Sequence, residues 1–224
     1  MLDPAAELAA LVAALRGARD VIDVGGGTGL LTRTLAAEVG PVLVIEPSAE
    51  QRAHVPATPG LTVMPGRAEA LPALDGAADA AVATWVLQYT DEPQAAVAEL
   101  ARVARTHVAI VQAAPGNELV EAYNVAAAVA GLPAAHHGYL LGHAAALLEA
   151  RGFDVELVPL AIPLIAPAAS SDGAAYLADV LVRLHFHDHA AAVAMRAAVT
   201  PVIAAHLARD GRLADDGVLL IARR

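Results

Sequence analysis

Residues 21–31 read Val21-Ile-Asp-Val-Gly-Gly-Gly-Thr-Gly-Leu-Leu31, an apolar strand running straight into a glycine turn and then a helix. The spacing is D-x-G-x-G-x-G, with Asp23, Gly25, Gly27 and Gly29 in the fixed places and Gly26 and Thr28 between them. Glycines here remove the Cβ atoms that would hold a ligand away from the backbone, and they permit the positive φ angles of a tight strand-to-helix turn. The helix expected from about Thr28 to Val39 points its free N–H groups and positive dipole end into the same crevice. Phosphate suits such a site, and so does a carboxylate.

Working outward, Val42-Leu-Val-Ile-Glu46 forms a second apolar strand after the turn at Gly40-Pro41, and it ends on a carboxylate 17 positions beyond Gly29. Ends of adjacent parallel strands face one crevice, so Glu46 can accept two hydrogen bonds from a ribose diol there. That fits any adenosine cofactor. The nicotinamide fingerprint G-x-G-x-x-G would place its last glycine at Leu30 or at Thr32, and neither register fits. Asp23 also puts negative charge where a pyrophosphate would sit, whereas a cationic amino-acid tail tolerates it.

These residues resemble the class I S-adenosylmethionine-dependent methyltransferases, specifically the small bacterial ones of the ubiquinone-biosynthesis type. The resemblance rests on VIDVGGGTGLLTRTLA (21–36), VLVIEPS (42–48), GRAEALP (66–72) and DAAVATWVLQYTDEPQAAVAELARV (79–103), in that order and with the expected gaps. It implies an α/β fold: a Rossmann-like, doubly wound, mostly parallel seven-stranded sheet with an antiparallel last strand and helices on both faces. It also implies one domain over residues 1–224, with helical insertions at about 112–138, as a substrate cap, and about 163–214. The implied cofactor is S-adenosylmethionine, leaving as S-adenosylhomocysteine. The residues this assigns to it are Asp23, Gly25, Gly26, Gly27, Thr28, Gly29, Glu46 and Pro47, then Arg67, Ala68 and Glu69, then Thr84, Trp85 and Val86. In the family the loop after the third strand carries Gly-Asp-Ala, whose acid accepts a bond from the adenine amino group; this chain has Gly66-Arg67-Ala68. The Ala68 N–H can still reach the ring, Arg67 can stack on it or turn outwards, and Glu69 is a substitute acceptor.

The remaining elements follow from periodicity and punctuation. Residues 4–17 predict an amphipathic helix with Leu8, Leu11, Val12 and Leu15 on one face, serving as a cofactor lid or as a packing helix. A short helix over 49–53 stops at the proline-rich 56–60, and Leu61 to Met64 is a third strand. Asp79 to Val86 is the fourth strand. Its carboxyl end opens onto the ligand crevice, so Gln88 and Tyr89 should face a substrate, while Trp85 is either ligand wall or core. Asp91 is expected to cap the helix that follows, with Pro93 in its first turn and its end at Val103. Arg105 to Val111 is the fifth strand. The segment above it carries a helix from Asn117 to Ala130 with Tyr123 on it, then His136, His137 and Tyr139. These are substrate-side candidates, with His136, His137 and Tyr89 as candidate proton acceptors; the alternative for the histidine pair is a polar helix entry without chemistry. Helices are expected over 139–151, 176–189 and 190–209, strands at 153–158 and 217–222, and a proline-punctuated loop at Pro159, Pro163 and Pro167. His185, His187, Asp188 and His189 have metal-like composition, but only His185 and His189 share a helical face, so a solvated helix end is expected and no metal.

Composition narrows the classes. The chain has 224 residues, no cysteine, and a formal net charge of −10. Disulfides and thiolate chemistry are excluded, and the negative field argues against nucleic acid as a partner. All 14 basic residues are arginine, and with the alanine load this suggests a GC-rich bacterial genome. No apolar run reaches bilayer length, and Met-Leu-Asp-Pro carries no positive region of a signal peptide, so a cytoplasmic, membrane-free monomer or homodimer is expected. The expected activity is methyl transfer to an oxygen, nitrogen or carbon nucleophile on a small, partly apolar molecule, such as a secondary metabolite. The rivals are a catalytically degenerate binding or scaffold protein of the same fold, motivated by Arg67, and a nucleotide-dependent oxidoreductase.

Overall fold

The computed structural model describes residues 5–134, 139–164, 172–186 and 188–224. Its elements in chain order are α1 (Ala5–Ala14), β1 (Val21–Val24), α2 (Leu30–Glu38), β2 (Val42–Ile45), α3 (Ala49–His54), β3 (Leu61–Met64), β4 (Ala78–Thr84), a 3-10 turn (Leu87–Tyr89), α4 (Pro93–Val103), β5 (Ala104–Ala113), α5 (Glu118–Ala130), α6 (Tyr139–Glu149), β6 (Asp154–Leu160), β7 (Pro163–Leu164), α7 (Gly173–His185), α8 (Ala192–Asp210), β8 (Leu213–Ala214) and β9 (Gly217–Arg223). The described chain divides into two compact units. One holds residues 5–112, 139–160 and 218–224, the other 113–134, 161–164, 172–186 and 188–217.

The first unit is built on a seven-stranded sheet of order β3-β2-β1-β4-β5-β9-β6. The first five strands pair in parallel, and the last strand of the chain is antiparallel. β1 lies inside the sheet, third in that order, with Val21, Ile22, Asp23 and Val24 all buried, as a strand covered on both faces must be. In register, Asp23 lies beside Val44 on one side and Val82 on the other, so the glycine turn that follows β1 emerges between the carboxyl ends of two neighbours. The order reverses at β1/β4, the position where such sheets open a crevice. Ile22, Val24, Ala81, Ala83, Val108 and Ile110 form the core on one face, closed by Val97 and Leu100 of α4 and Leu140 and Leu148 of α6.

The second unit is helical. Ala122 and Ala126 of α5, Leu177 and Leu181 of α7, and Met195, Val199 and Ile203 of α8 pack into one apolar core. The β7–β8 pair is antiparallel, with Leu164 opposite Leu213. Asn117 caps α5 by accepting from the Val120 N–H, and its amide donates to Asp215 and to the Asp216 carbonyl. His206, nearly buried, lies between Glu118 and Glu121 at 3.1 Å from each.

Several sequence expectations shift. α2 begins at Leu30, after Gly29 has turned through a left-handed φ of 80°, not at Thr28. Glu92 precedes Pro93 at the start of α4, and Asp91 bonds Arg67 instead of capping. The buried stripe of α1 is Glu7, Leu11 and Ala14, continued by Leu15 just past its end, with Leu8 and Val12 only half-buried, so a carboxylate occupies a place the apolar pattern gave to leucine. Pro159 lies inside β6 and Pro163 begins β7 where a loop was expected; Pro167 falls outside the described residues. α7 ends at His185, and among the described residues no group of three or more metal-ligating side chains forms. No helix among them is long and apolar enough to cross a membrane.

Candidate functional site

The site lies within the first unit, where the β1, β2 and β4 ends meet. Gly25 turns at φ 70° and its N–H donates to the Ile45 carbonyl at 2.7 Å, which closes the loop against β2. A Cβ on Gly25 would stand 2.5 Å from Val86 Cγ2, so only glycine lets the loop lie this close to the wall opposite. Gly27, at φ 57°, presents its N–H to Glu46 Oε2 at 3.1 Å. The Ser48 N–H donates to Glu46 Oε1 at 2.9 Å, so two backbone donors fix the orientation of a carboxylate that is only 7% exposed. Arg52 reaches back from α3 to the Glu46 and Pro47 carbonyls at 2.7 and 2.8 Å and holds the end of β2.

Gly25, Gly27, Glu46, Pro47, Arg67, Ala68, Glu69, Trp85, Val86 and Tyr89 line one cavity of about 350 Å³, with Gln51 and Thr90 completing it. Most of the cofactor residues expected from sequence therefore share a wall. Asp23, Gly26, Thr28, Gly29 and Thr84 do not line that cavity. Asp23 lies underneath the loop, its Oδ2 accepting from Thr32 Oγ1 at 2.5 Å and standing 2.8 Å from where a Gly26 Cβ would be. Burial raises its pKa from 3.8 to about 6; Thr32 opposes that shift, and the neighbouring Glu46 charge adds to it. The loop thus has a reluctant anion beneath it and a second carboxylate at its rim.

At the other end of the cavity Arg67 pairs with Glu69 at 3.1 Å and Asp91 at 2.6 Å. Glu69 Oε1 also accepts from the Asp91 N–H at 3.0 Å, so the oxygen proposed as an adenine acceptor already has two donors. These contacts hold Glu69 below the usual carboxylate range, against a burial effect that is the largest single influence and acts upward. Trp85 adopts a left-handed φ of 58°, rare for a bulky residue, and its indole N–H donates to Glu7 Oε1 at 2.9 Å. Burial raises the Glu7 carboxyl, while the Trp85 bond pulls the other way.

Of the substrate-side candidates, Tyr89 is 71% exposed at the cavity and Gln88 accepts from the Gln112 side-chain amide. Gln112 is fully buried at the end of β5, and its own Oε1 has no partner. Sequence reading missed this residue, since one polar side chain at a strand end carries no periodic signal. Tyr123 lies in the second unit, stacked on Phe186 at 5.0 Å and edge-on to His185 at 5.4 Å. Tyr139 opens α6, but its side chain lies outside the described set, as do His136 and His137 altogether.

The bare glycine loop, the rim carboxylate and the flat apolar wall fit an adenosine cofactor with a cationic tail. Each of these features would be needed, and all line one cavity.

The fold has counterparts among known proteins. Residues 22–111 match the family model described as a methyltransferase domain. No curated protein matches the chain in sequence. Among solved structures, the YcgJ protein of Bacillus subtilis is similar at 15% identity, covering 97% of each chain with a TM-score of 0.71. A candidate methyltransferase of Bacillus halodurans matches at 19% identity, 97% of each chain and 0.69. The magnesium protoporphyrin IX methyltransferase of Synechocystis, solved with bound S-adenosylhomocysteine, matches at 14% identity over 97% of this chain and 82% of its own, with 0.59. Residues 22–111 thus match a methyltransferase domain, and the chain as a whole has the fold of the solved methyltransferases it resembles.

Proposed function

We propose that this protein binds S-adenosylmethionine in the cavity between Gly25 and Glu69 and transfers its methyl group to a nucleophile on a small, partly apolar molecule. The observation that carries the reading is the pairing of a glycine loop at positive φ with Glu46, both facing one cavity. The bound cofactor would supply an electrophilic methyl on a sulfonium. Gly25 and Gly27 give its amino-acid end access to bare backbone. Glu46 keeps lone pairs for the sugar hydroxyls while two N–H groups fix its orientation.

Val86 and the Trp85 ring supply an apolar wall that excludes water from one side of the site, and exposed Tyr89 stands at the mouth, where an acceptor enters. The main contribution of such a site is to hold two molecules in attack geometry. Gln88 and Tyr89 are the substrate-facing residues in this reading. Arg67, Ala68 and Glu69 take the purine end. Arg67 is fixed by two carboxylates and offers the ring a flat cationic face, while Ala68 offers its N–H.

Calorimetry with S-adenosylhomocysteine tests the reading directly. Micromolar binding by the wild-type chain, with loss of about 100-fold or more in Glu46→Ala, is expected from two charge-assisted hydrogen bonds. Absence of binding by the folded wild-type protein would overturn it. Binding of the cofactor with no transfer of labelled methyl groups to any acceptor library would favour a binding protein of the same fold.

A further inference from the structure

Trp85 is the only tryptophan of the chain, it lines the cofactor cavity, and its backbone is left-handed at φ 58°. Residues with large side chains avoid that region unless their surroundings hold them there. Two contacts are available to do so. The Trp85 N–H donates to the Val111 carbonyl at 2.9 Å, which ties the main chain to β5. The indole N–H donates to Glu7 Oε1 at 2.9 Å, across 78 positions of sequence.

Glu7 is 7% exposed, on the face of α1 that also buries Leu11, Ala14 and Leu15. An acid on the buried face of a ten-residue helix is costly unless it is hydrogen-bonded, and the indole N–H supplies that bond. The rest of α1 is anchored independently, by packing against α2 and by a bond from Arg223 to the Ala14 carbonyl. The helix therefore has anchors besides Glu7.

We propose that Glu7 is a positioning residue of the cofactor site: its carboxylate, fixed on α1, holds the indole of the cavity-lining Trp85 while the backbone there is left-handed, which makes the N-terminal helix a support for the binding wall. This rests on the cofactor reading given above. Glu7 touches no reacting atom, and its effect is exerted through the ring. The bond fixes where the indole N–H lies and the direction in which it points, so the reach of the acceptor matters more than its charge.

The experiment compares Glu7→Gln, which keeps an acceptor of the same reach, with Glu7→Asp, which keeps the charge but is one methylene too short. Leu8→Ala on the same helix is the packing control. Trp85 fluorescence and near-ultraviolet circular dichroism report the indole without any ligand, and calorimetry with S-adenosylhomocysteine reports the site. The expected result is a shifted emission maximum and about tenfold weaker binding in Glu7→Asp, with Glu7→Gln within about threefold of wild type and Leu8→Ala unchanged in emission. Wild-type emission and affinity in a folded Glu7→Asp protein would overturn the proposal, and so would equal losses in Glu7→Asp and Leu8→Ala, which would mean that helix packing alone matters. If the wild type fails to bind S-adenosylhomocysteine, the cofactor reading falls, while the emission series still decides whether Glu7 sets the indole.

Discussion

The two ends of the parallel sheet treat buried carboxylates in opposite ways. At the amino end Asp79, 5% exposed, accepts from Arg19 Nε at 2.9 Å, from Arg105 Nε at 2.7 Å and from the Arg19 N–H at 3.1 Å. These bonds, the Arg19 side chain first, hold its carboxyl well below the usual range. At the carboxyl end Asp23, 2% exposed, has a single threonine hydroxyl for side-chain company, and burial pushes it up to about 6. Glu7 is raised by the same cause. One end is electrostatically satisfied and contributes stability. The other leaves negative charge uncompensated next to a cavity, which is the condition in which a cationic ligand gains most by arriving.

That contrast predicts that substitutions at the two ends separate binding from stability. The largest effect belongs to Glu46→Ala, whose loss of about 100-fold in S-adenosylhomocysteine affinity should come with a melting temperature moved by only a few degrees. Equal damage to both would mean that Glu46 is a loop strut and not a ligand group. Next is Gly25→Ala. Its Cβ would stand 2.5 Å from Val86 Cγ2 at a backbone angle of φ 70° that alanine resists, so the expected loss is about 1–2 kcal/mol of stability together with weakened cofactor binding. Unchanged affinity in a folded Gly25→Ala protein would show that the loop does not approach the ligand. At the opposite end Asp79→Ala should lower the melting temperature by about 4–8 °C, corresponding to about 2 kcal/mol, and leave affinity for the same probe intact. Its depressed carboxyl contributes stability above the unfolded acid range, which is lost as pH falls below about 4, so the gap between wild type and variant should close in acid.

How far these differences were legible in the sequence follows from how local their causes are. The glycine loop, Glu46 and the strand ends are short-range features, and β3, α5 and β9 lie within a residue or so of where pattern and punctuation put them. The cavity wall was readable because parallel strands must bring their carboxyl ends together. What escaped depends on partners far away in the chain. Asp91 looks like a cap until Arg67, 24 positions earlier, takes it. Glu7 looks like the polar side of an amphipathic helix until Trp85 bonds it, and the left-handed backbone at Trp85 has no sequence mark, since a tryptophan does not advertise that region as a glycine does. Asp79 and Asp23 are each one acid in an apolar strand. Nothing local says that one meets two arginines and the other none.

Asp23→Asn gives the smallest and most discriminating effect. Between pH 3.8 and about 6 the folded chain holds a proton on Asp23 that the unfolded chain has released, so stability falls as pH rises through that window and stays lower above it. Asparagine does not titrate. The variant should therefore gain on the wild type as pH rises, by about 1 kcal/mol at pH 7 and at most about 3 kcal/mol, because it forgoes the charge-strengthened bond from Thr32. The same change removes a negative charge from beneath the loop and should weaken S-adenosylhomocysteine binding several-fold, since the cationic tail loses its attraction through a medium with little screening. Melting curves from pH 4 to pH 8 beside calorimetry decide it. A gain in melting temperature that does not grow with pH would remove the linkage, and a gain without loss of affinity would place the buried acid outside the field that the ligand feels.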